Sequence, residues 1–272
     1  MSTTAPPRAL VTGLLVTELS AGPDGTTVWT RRLGEQAPLP FSPVPVRLAA
    51  PDPRIVPGGA DPSVRRYRTT ARALLPALLH ELSEEALVSV GREWKGALDA
   101  LHGARPAGEP LPPRPLQRAR GWLAGGWAPA AEELGAGGLL ELADWAEAVV
   151  ASPAAVVVHG HPGLAHLVVG GTRVALLTGE DVGLADPVWD AAWVLGELAE
   201  LHAFHPALRP ALDALRRGLS LEEDHDAELL RVGTAFRLAQ HAVDWHRSGG
   251  ASSDQARLLL SLSAAQLGER AE

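Results

Sequence analysis

The chain contains no cysteine. This excludes disulfide bonds, cysteine-ligated iron–sulfur clusters and thiol catalysis. Lysine is nearly absent as well, because Lys95 is the only one and the remaining basic residues are arginines. No run approaches the ~18 apolar residues that a membrane-spanning helix requires. The first residues also lack the basic and apolar segments of a secretory signal, so the sequence predicts a cytoplasmic protein.

The composition is that of a folded protein. Of the 272 residues, 46 % are hydrophobic and 21 % are charged, which is enough apolar material for a sizeable core. The formal net charge is −8, and this argues against sequence-independent binding to nucleic acid phosphates. Abundant alanine, glycine and proline, with arginine in place of lysine, indicate a GC-rich genome.

The first part of the chain reads as β-structure. Apolar and β-branched residues in 9–19 and 26–33 flank the turn sequence SAGPDG at 20–25, which predicts a hairpin. A short strand is predicted near 44–48. The polar and basic segment 61–68 is predicted to be a connector or hinge.

The remainder reads mainly as helix, with one β-rich interruption. Apolar residues recur at helical spacing in 71–102, where Ser83 predicts a new helix start. Helical patterns also fill 116–151, broken by glycines at 135–138, and the chain from 187 to its end. Between them, short strands are predicted at 154–158, 167–169 and 173–177, the last two flanking Gly170-Gly171.

The segment 156–195 carries an ordered set of motifs. It contains His159-Gly160, a Gly-containing hairpin, Glu180-Asp181, Gly183, Asp186-Pro187, Asp190 and Trp193. This order resembles the catalytic core of the aminoglycoside phosphotransferase family, with its H-G-D-x-H-P-x-N, I-D-W-E, G-D-P and D-L-A motifs. The resemblance extends from about residue 71 to the end and is weaker before it.

The resemblance implies an α+β, two-lobed, protein-kinase-like fold. A small β-rich N-lobe would cover residues 1–70. A larger, mainly helical C-lobe would cover 71–272, with the degenerate catalytic loop at 156–190. In such kinases ATP and magnesium bind between the lobes, an Asp accepts the proton of the acceptor hydroxyl, and an Asn and a second Asp hold the metal.

Carried over position by position, the acidic chemistry of the family is missing. The base aspartate falls on His161, or is deleted in a second possible register of the loop. The metal-binding asparagine falls on His166, and the metal-binding aspartate falls on Thr178. Imidazole and hydroxyl groups are poor replacements for the oxygen ligands that magnesium prefers.

The N-lobe should supply a lysine for the ATP phosphates. Lys95 is excluded, because it lies in a segment that resembles a later helix. Arg31 or Arg32 on the predicted strand could hold phosphates instead. No glutamate lies between Glu35 and Glu81, where the acidic partner of the lysine is expected. The turn at 20–25 occupies the place of the phosphate-covering loop.

The sequence therefore predicts a pseudokinase with no cofactor. It would bind a protein or peptide partner, as a scaffold or activating subunit in a hetero-complex with a biosynthetic enzyme, and neither nucleic acid nor membrane. Phosphotransferase-like proteins of this kind occur beside peptide-modifying enzymes in actinobacterial natural-product pathways, and we expect that setting here.

Two alternatives stay open at this level. A divergent active kinase would use ATP and magnesium, with Glu180 or Asp181 as the metal ligand. A repurposed site would use the H-x-H-x4-H cluster of His159, His161 and His166 as a base or transition-metal site, since imidazole suits such metals.

Structural roles are predicted for other motif residues. The resemblance makes His159 and Gly160 part of the loop framework. Asp186-Pro187 is typical of a helix start, where the carboxylate caps free N–H groups, and Asp190 would face back toward the loop. Arg65, Arg66 and Arg68 form a basic cluster that either contacts an anionic ligand or acidic peptide or simply faces solvent.

Overall fold

The computed structural model describes residues 8–43, 46–47, 52–70, 73–106, 111–249 and 253–268. The strands are β1 (Arg8–Val11), β2 (Leu15–Ala21), β3 (Thr27–Leu33), β4 (Val46–Arg47), β5 (Ile55–Pro57), β6 (Val64–Thr69), β7 (Ala73–Leu74), β8 (Arg105–Pro106), β9 (Val156–Val158), β10 (Leu167–Gly170), β11 (Arg173–Thr178) and β12 (Gly183–Ala185). The helices are α1 (Glu84–His102), α2 (Arg114–Gly121), α3 (Ala128–Val150), α4 (Val188–Phe204), α5 (Arg209–Leu219), α6 (Leu221–Asp224), α7 (Ala227–Arg247) and α8 (Ser253–Gly268).

The small lobe is built on an antiparallel sheet in the order β1-β2-β3-β6. The predicted hairpin at SAGPDG is confirmed, because β2 and β3 pair from Leu15↔Leu33 to Ala21↔Thr27. The apolar run 9–19 is not one strand but two, joined by a turn at 12–14. Thr12 makes this turn, since its side chain accepts a hydrogen bond from the Leu15 N–H at 2.9 Å.

The predicted connector at 61–68 is wrong, since most of it forms β6. Buried and exposed side chains alternate along β6, but arginine occurs on both faces, so the sequence does not show the alternation. Arg65, Tyr67 and Thr69 are buried, while Arg66 and Arg68 are exposed. Side chains of a strand alternate between its two faces. A buried arginine at an inward position therefore disguised a period-two pattern.

A second sheet, in the order β5-β11-β10-β7, lies beneath the first. The hairpin predicted around Gly170-Gly171 is confirmed, with Gly170 paired to Arg173. A small apolar cluster of Trp29, Tyr67, Val168 and Leu177 joins the two sheets. This cluster fixes the small lobe on the strands that frame the candidate site.

The helical lobe begins at α1, whose Ser83 cap accepts a hydrogen bond from the Ala86 N–H. The helix predicted over 71–82 is wrong in its described part, which contains β7 and a 3₁₀ turn at Leu75–Leu78. Pro76 explains this, because a proline has no backbone N–H and its ring clashes with the preceding turn, so a helix cannot run through it from the earlier residues. The predicted break in the second helical segment is confirmed at Gly135 (φ 65°) within α3.

The main core lies between the helices of the larger lobe. Trp94, Trp122, Trp189 and Phe236 are fully buried there. In the described part of the chain, no helix is long and apolar enough to cross a membrane. The architecture is α+β and two-lobed, as predicted, with a small β-rich lobe followed by a larger helical one.

Candidate functional site

A cleft of about 390 Å³ opens between the two lobes. The small lobe contributes the turn between β1 and β2 and Arg31 on β3. The larger lobe contributes the loops after β9 and β11 and one side of α4 and α7. Apolar side chains such as Leu14, Leu74 and Trp193 share the lining with an unusual number of charged groups.

The loop after β9 is held in place by Asp190. Its carboxylate accepts hydrogen bonds from the N–H groups of His159 at 2.8 Å and Gly160 at 3.0 Å. Gly160 has φ +85°, and a Cβ there would collide with the Asp181 carbonyl. Asp190 thus faces the loop, and it also lies 3.0 Å from His102 Nε2.

Asp186 has a local role at the start of α4. Its Oδ1 accepts a hydrogen bond from the Val188 N–H at 3.1 Å, and its Oδ2 accepts one from Ser152 Oγ at 2.8 Å. Pro187 lies directly before the helix. The pair therefore sits where the sequence places it, outside the lining of the cleft.

The three histidines of the loop lie close together but do not converge on a metal. His159 Nε2 is 2.9 Å from the Leu177 carbonyl oxygen. The His159 ring packs edge-on against the His166 ring, with 4.9 Å between the two ring centres. His161 Nδ1 lies 3.5 Å from Asp181. Among the described residues, no three His, Cys, Asp or Glu side chains are arranged to hold a metal ion. The geometry thus gives no support to the histidine metal site.

Burial keeps the histidines of the loop neutral at pH 7. It lowers the pKa of His166 to about 4 and acts in the same direction on His161, although 35 % of the His161 side chain faces the cleft. Among the residues that the structure describes, neither ring nitrogen of His166 has a hydrogen-bond partner, and the buried Thr178 Oγ1 has none either.

Glu180, in the loop after β11, is buried and bound from the small lobe. Its Oε1 accepts hydrogen bonds from Arg31 Nη1 at 3.0 Å and Tyr67 Oη at 2.6 Å. His166 Nε2 lies 3.5 Å from Oε2. Burial alone would raise the pKa of Glu180, but the Arg31 charge and these contacts outweigh it and hold the pKa well below its usual range.

Asp181 is bound from the larger lobe. Its Oδ1 accepts hydrogen bonds from Arg114 Nη1 at 3.0 Å and Arg118 Nη1 at 3.1 Å. Arg118 also pairs with Asp244 at 3.2 Å. Burial opposes ionisation, but the Arg114 charge, the His161 contact and Arg118 hold the pKa of Asp181 well below its usual range.

The two arginines of α2 were missed by sequence reasoning. Arg114 and Arg118 are four residues apart, a spacing that puts both on one helix face. That spacing was the available signal, but nothing in the sequence showed that the face is buried. Asp244 on α7 and Tyr67 on β6 were missed for the same reason.

Arg31 and Arg32 point to opposite sides of β3. Arg31 is 2 % exposed, lines the cleft and also donates to the Ala165 carbonyl. Arg32 is exposed and pairs with Glu18. Lys95 lies away from the cleft on α1, where it pairs with Asp99 at 3.0 Å.

The family pattern predicts a glutamate on a helix after β3 as the partner of the N-lobe cation, but in this structure the partner comes from another part of the chain. The described residues 34–43 form no helix and instead run as a strap over the loop after β11. Ser42 N–H donates to the Glu180 carbonyl at 2.8 Å, and Arg114 Nη2 donates to the Leu39 carbonyl at 2.6 Å. The Phe41 ring lies near both Arg65 and Arg114, whose guanidinium carbons are 5.1 and 5.4 Å from its centre. The carboxylate that pairs with Arg31, that of Glu180, therefore belongs to the opposite lobe.

A different turn from the expected one lines the cleft. The turn between β1 and β2 contributes Thr12 and Leu14 to the lining. The turn at Pro23–Gly25, expected to cover a phosphate, joins the far ends of β2 and β3. The apolar run 9–19 gives little sign of this turn, because Gly13 lies between apolar and β-branched residues that favour a strand.

No protein-family model matches the chain, and no curated protein sequence matches it. Solved structures do match. A thermostable mutant of the aminoglycoside phosphotransferase APH(4)-Ia, in its apo form, aligns with a TM-score of 0.57 and 14 % identity over 98 % of this chain and 96 % of that one. The amicoumacin kinase hAmiN, in complex with AMP-PNP, Ca²⁺ and Ami, gives 0.57 and 9 % over 97 % and 88 %. A choline/ethanolamine kinase family protein from Mesorhizobium loti gives 0.56 and 16 % over 97 % and 88 %.

The chain has the aminoglycoside phosphotransferase fold. By the motif order predicted from the sequence, the place of the base would fall on His161, or be deleted in the second register, and the places of the metal ligands would fall on His166 and Thr178. The neighbouring carboxylates, Glu180 and Asp181, are already paired with arginine. These residues do not fit a magnesium ion, because, among the described residues, both carboxylates at this place are held by arginine and are not open to a metal.

One carboxyl group of the cleft has no cationic partner among the described residues. Glu197 on α4 accepts a hydrogen bond from the Leu164 N–H at 2.8 Å, and burial raises its pKa. Glu200, one turn later, pairs with Arg237 and with His241 Nδ1 at 2.7 Å. The phosphotransferase-like cleft is thus close to charge balance without any ligand.

Proposed function

We propose that this protein is a pseudokinase, a phosphotransferase-like fold that binds a partner and does not transfer phosphate. One observation carries the proposal: Glu180 and Asp181, the carboxylates nearest the place of the metal, are bound by the chain's own buried arginines at 3.0 to 3.1 Å.

The physical argument concerns charge. Phosphoryl transfer depends on positioned cations that neutralise the phosphates, and in kinases metal ions supply much of that charge. Here guanidinium groups neutralise the available carboxylates. Freeing one for a metal would leave a buried arginine without its counterion, which costs about 3–5 kcal/mol when a buried pair loses one partner. No cofactor is expected for the same reason.

The contacts between the lobes favour a binding role. Arg31 reaches Glu180, Arg65 Nε donates to the Gly179 carbonyl at 2.9 Å, and Ser42 reaches both Glu180 and Val182. These buried ties hold the small lobe against the larger one. We propose that the fixed surface serves as a scaffold or activating subunit for another enzyme, in a peptide natural-product pathway.

The test is a thermal shift with ATP, with and without magnesium or manganese, followed by a turnover assay. A ligand of the native state raises its stability by RT ln(1 + [L]/Kd). We expect no metal-dependent shift and no transfer. A shift that requires magnesium and disappears in Asp181→Asn or Glu180→Gln, but not in the exposed control Glu18→Gln, would overturn the proposal and establish the divergent kinase with ATP and magnesium.

The binding role is tested separately. The tagged chain, expressed together with the enzymes of its gene neighbourhood, should co-purify with one of them in a fixed ratio. Absence of any stable complex would contradict the scaffold role, even if the nucleotide assays are negative.

A further inference from the structure

A second groove, of about 860 Å³, runs along the edge of the small lobe. It lies between β6, β5 and the tip of the β10–β11 hairpin. Val56, Val174 and Ala175 supply its apolar part. It shares no lining residue with the cleft between the lobes, so its properties are independent of the phosphotransferase-like site.

The charges of this groove are not balanced. Five charged side chains line it: Asp52, Arg54, Arg68, Glu93 and Arg173. Asp52 binds Arg54 through two side-chain contacts at 3.0 and 2.8 Å. This hydrogen bonding, with the charge of Glu93, raises the pKa of Arg54. Asp52 is thus paired with Arg54, and among the described residues neither Asp52 nor Glu93 has an ion pair with Arg68 or Arg173.

Three exposed arginines are left without partners. Arg68 and Arg173 line the groove, and Arg66 lies two residues before Arg68 on the same outward face of β6. Side chains at this spacing along a strand are about 7 Å apart. None of the three makes an ion pair or side-chain hydrogen bond with the residues that the structure describes. We call Arg66, Arg68 and Arg173 the basic edge.

The basic edge stands out against the rest of the molecule. The chain carries a net charge of −8, and most buried or half-buried arginines of the structure are paired. Complementary charge steers and orients a partner. A long polyanion such as RNA would also meet the acidic remainder of the surface, whereas a short acidic segment would meet only the groove.

We propose that the basic edge and the adjoining groove bind an extended acidic segment of a protein partner. Carboxylates at alternate positions match the spacing of Arg66 and Arg68, and the side chains between them would contact the apolar part at Val56 and Ala175. This inference goes beyond the pseudokinase proposal, since it holds whether or not the cleft binds a nucleotide.

The probe is a fluorescently labelled ten-residue peptide of alternating glutamate and valine, measured by anisotropy against the full chain. A peptide with glutamine in place of glutamate is the matched control. We expect binding of the glutamate peptide alone, weakening as the ionic strength rises. The variant Arg66→Glu, Arg68→Glu, Arg173→Glu should weaken it at least about tenfold, because like charges oppose association.

Arg257→Glu on α8 is the control for non-specific charge effects, since Arg257 is also exposed and has no ion pair with the described residues. This variant should bind as the unchanged protein does. The neutral variant Arg66→Gln, Arg68→Gln should show an intermediate loss, and circular dichroism checks that each variant is folded. The proposal is overturned if the glutamate peptide does not bind, if the glutamine peptide binds equally, if Arg257→Glu loses as much affinity, or if a single-stranded RNA of equal length binds more tightly.

Discussion

At the scale of single residues, Glu180 is the group on which the two lobes converge. It accepts hydrogen bonds from Arg31 and Tyr67 of the small lobe while belonging to the larger one. Its charge is matched by that of Arg31, which is 2 % exposed. The Glu180 carboxylate therefore stabilises the fold by neutralising the charge of buried Arg31, which a neutral side chain of the same shape cannot do.

Glu180→Gln is expected to lower the free energy of unfolding by about 3–5 kcal/mol, the usual cost of removing one partner from a buried ion pair. Denaturant unfolding followed by circular dichroism measures the change. The matched control is Glu18→Gln, which breaks the exposed pair with Arg32 and should cost about 0–1 kcal/mol. Equal effects of the two changes would show that burial of the Glu180 pair adds nothing.

His166 makes a separate prediction about pH. Burial lowers its pKa from 6.5 to about 4 in the folded protein. Between these values the unfolded chain binds the extra proton, so stability falls as the pH falls. One such proton is worth at most about 1.4 kcal/mol per pH unit. The groups that face this ring are Arg31, Glu180, His159 and His161.

The measurement compares unfolding free energies of the unchanged protein and His166→Gln between pH 6.5 and pH 4. The variant keeps a polar side chain of similar size but cannot titrate, so its stability should depend less steeply on pH. His159 and His161 also have lowered pKa values and remain in both proteins, so the difference between the two curves reports the loss of His166. Parallel curves would contradict a buried neutral His166.

At the scale of elements, a segment could be predicted from the sequence when its own side chains decide its structure. It could not be predicted when contacts with distant segments decide it. The hairpin β2–β3 and the start of α1 were predictable, because turn residues and the Ser83 cap act locally. β6 was not, since the inward-facing Arg65 needs the carbonyl groups of two distant residues, Ser42 and Gly179, in addition to that of nearby Asp61. The course of the strap at 34–43 could not be predicted either, because contacts with distant residues such as Glu180 and Arg114 hold it in place.

The residues of the candidate site also fall into those that the sequence could predict and those that it could not. The motif order predicts the positions of His161, His166 and Thr178. The structure places His161 3.5 Å from Asp181 and His166 3.5 Å from Glu180, whereas the buried Thr178 is not part of the cleft lining. Which of two adjacent arginines faces the cleft required the register of β3, which a pattern of mixed residues does not fix. The arginines of α2 could only be found in three dimensions, because their carboxylate partner lies 63 and 67 residues away.

At the scale of the whole molecule, the buried ties across the cleft predict that the lobes unfold together. Trp29 lies in the small lobe, so its fluorescence, obtained by difference from Trp29→Phe, reports that lobe, while far-ultraviolet circular dichroism reports the helices. A cooperative unit gives coincident transitions by different probes. We expect the same denaturation midpoint for both signals in the unchanged chain. In the variant Glu180→Gln, the Trp29 midpoint should fall below the helical one, because the small lobe loses the ion pair that Arg31 makes across the cleft. Separate midpoints in the unchanged chain would mean that the two lobes are independent and that the ion pairs do not fix the surface offered to a partner.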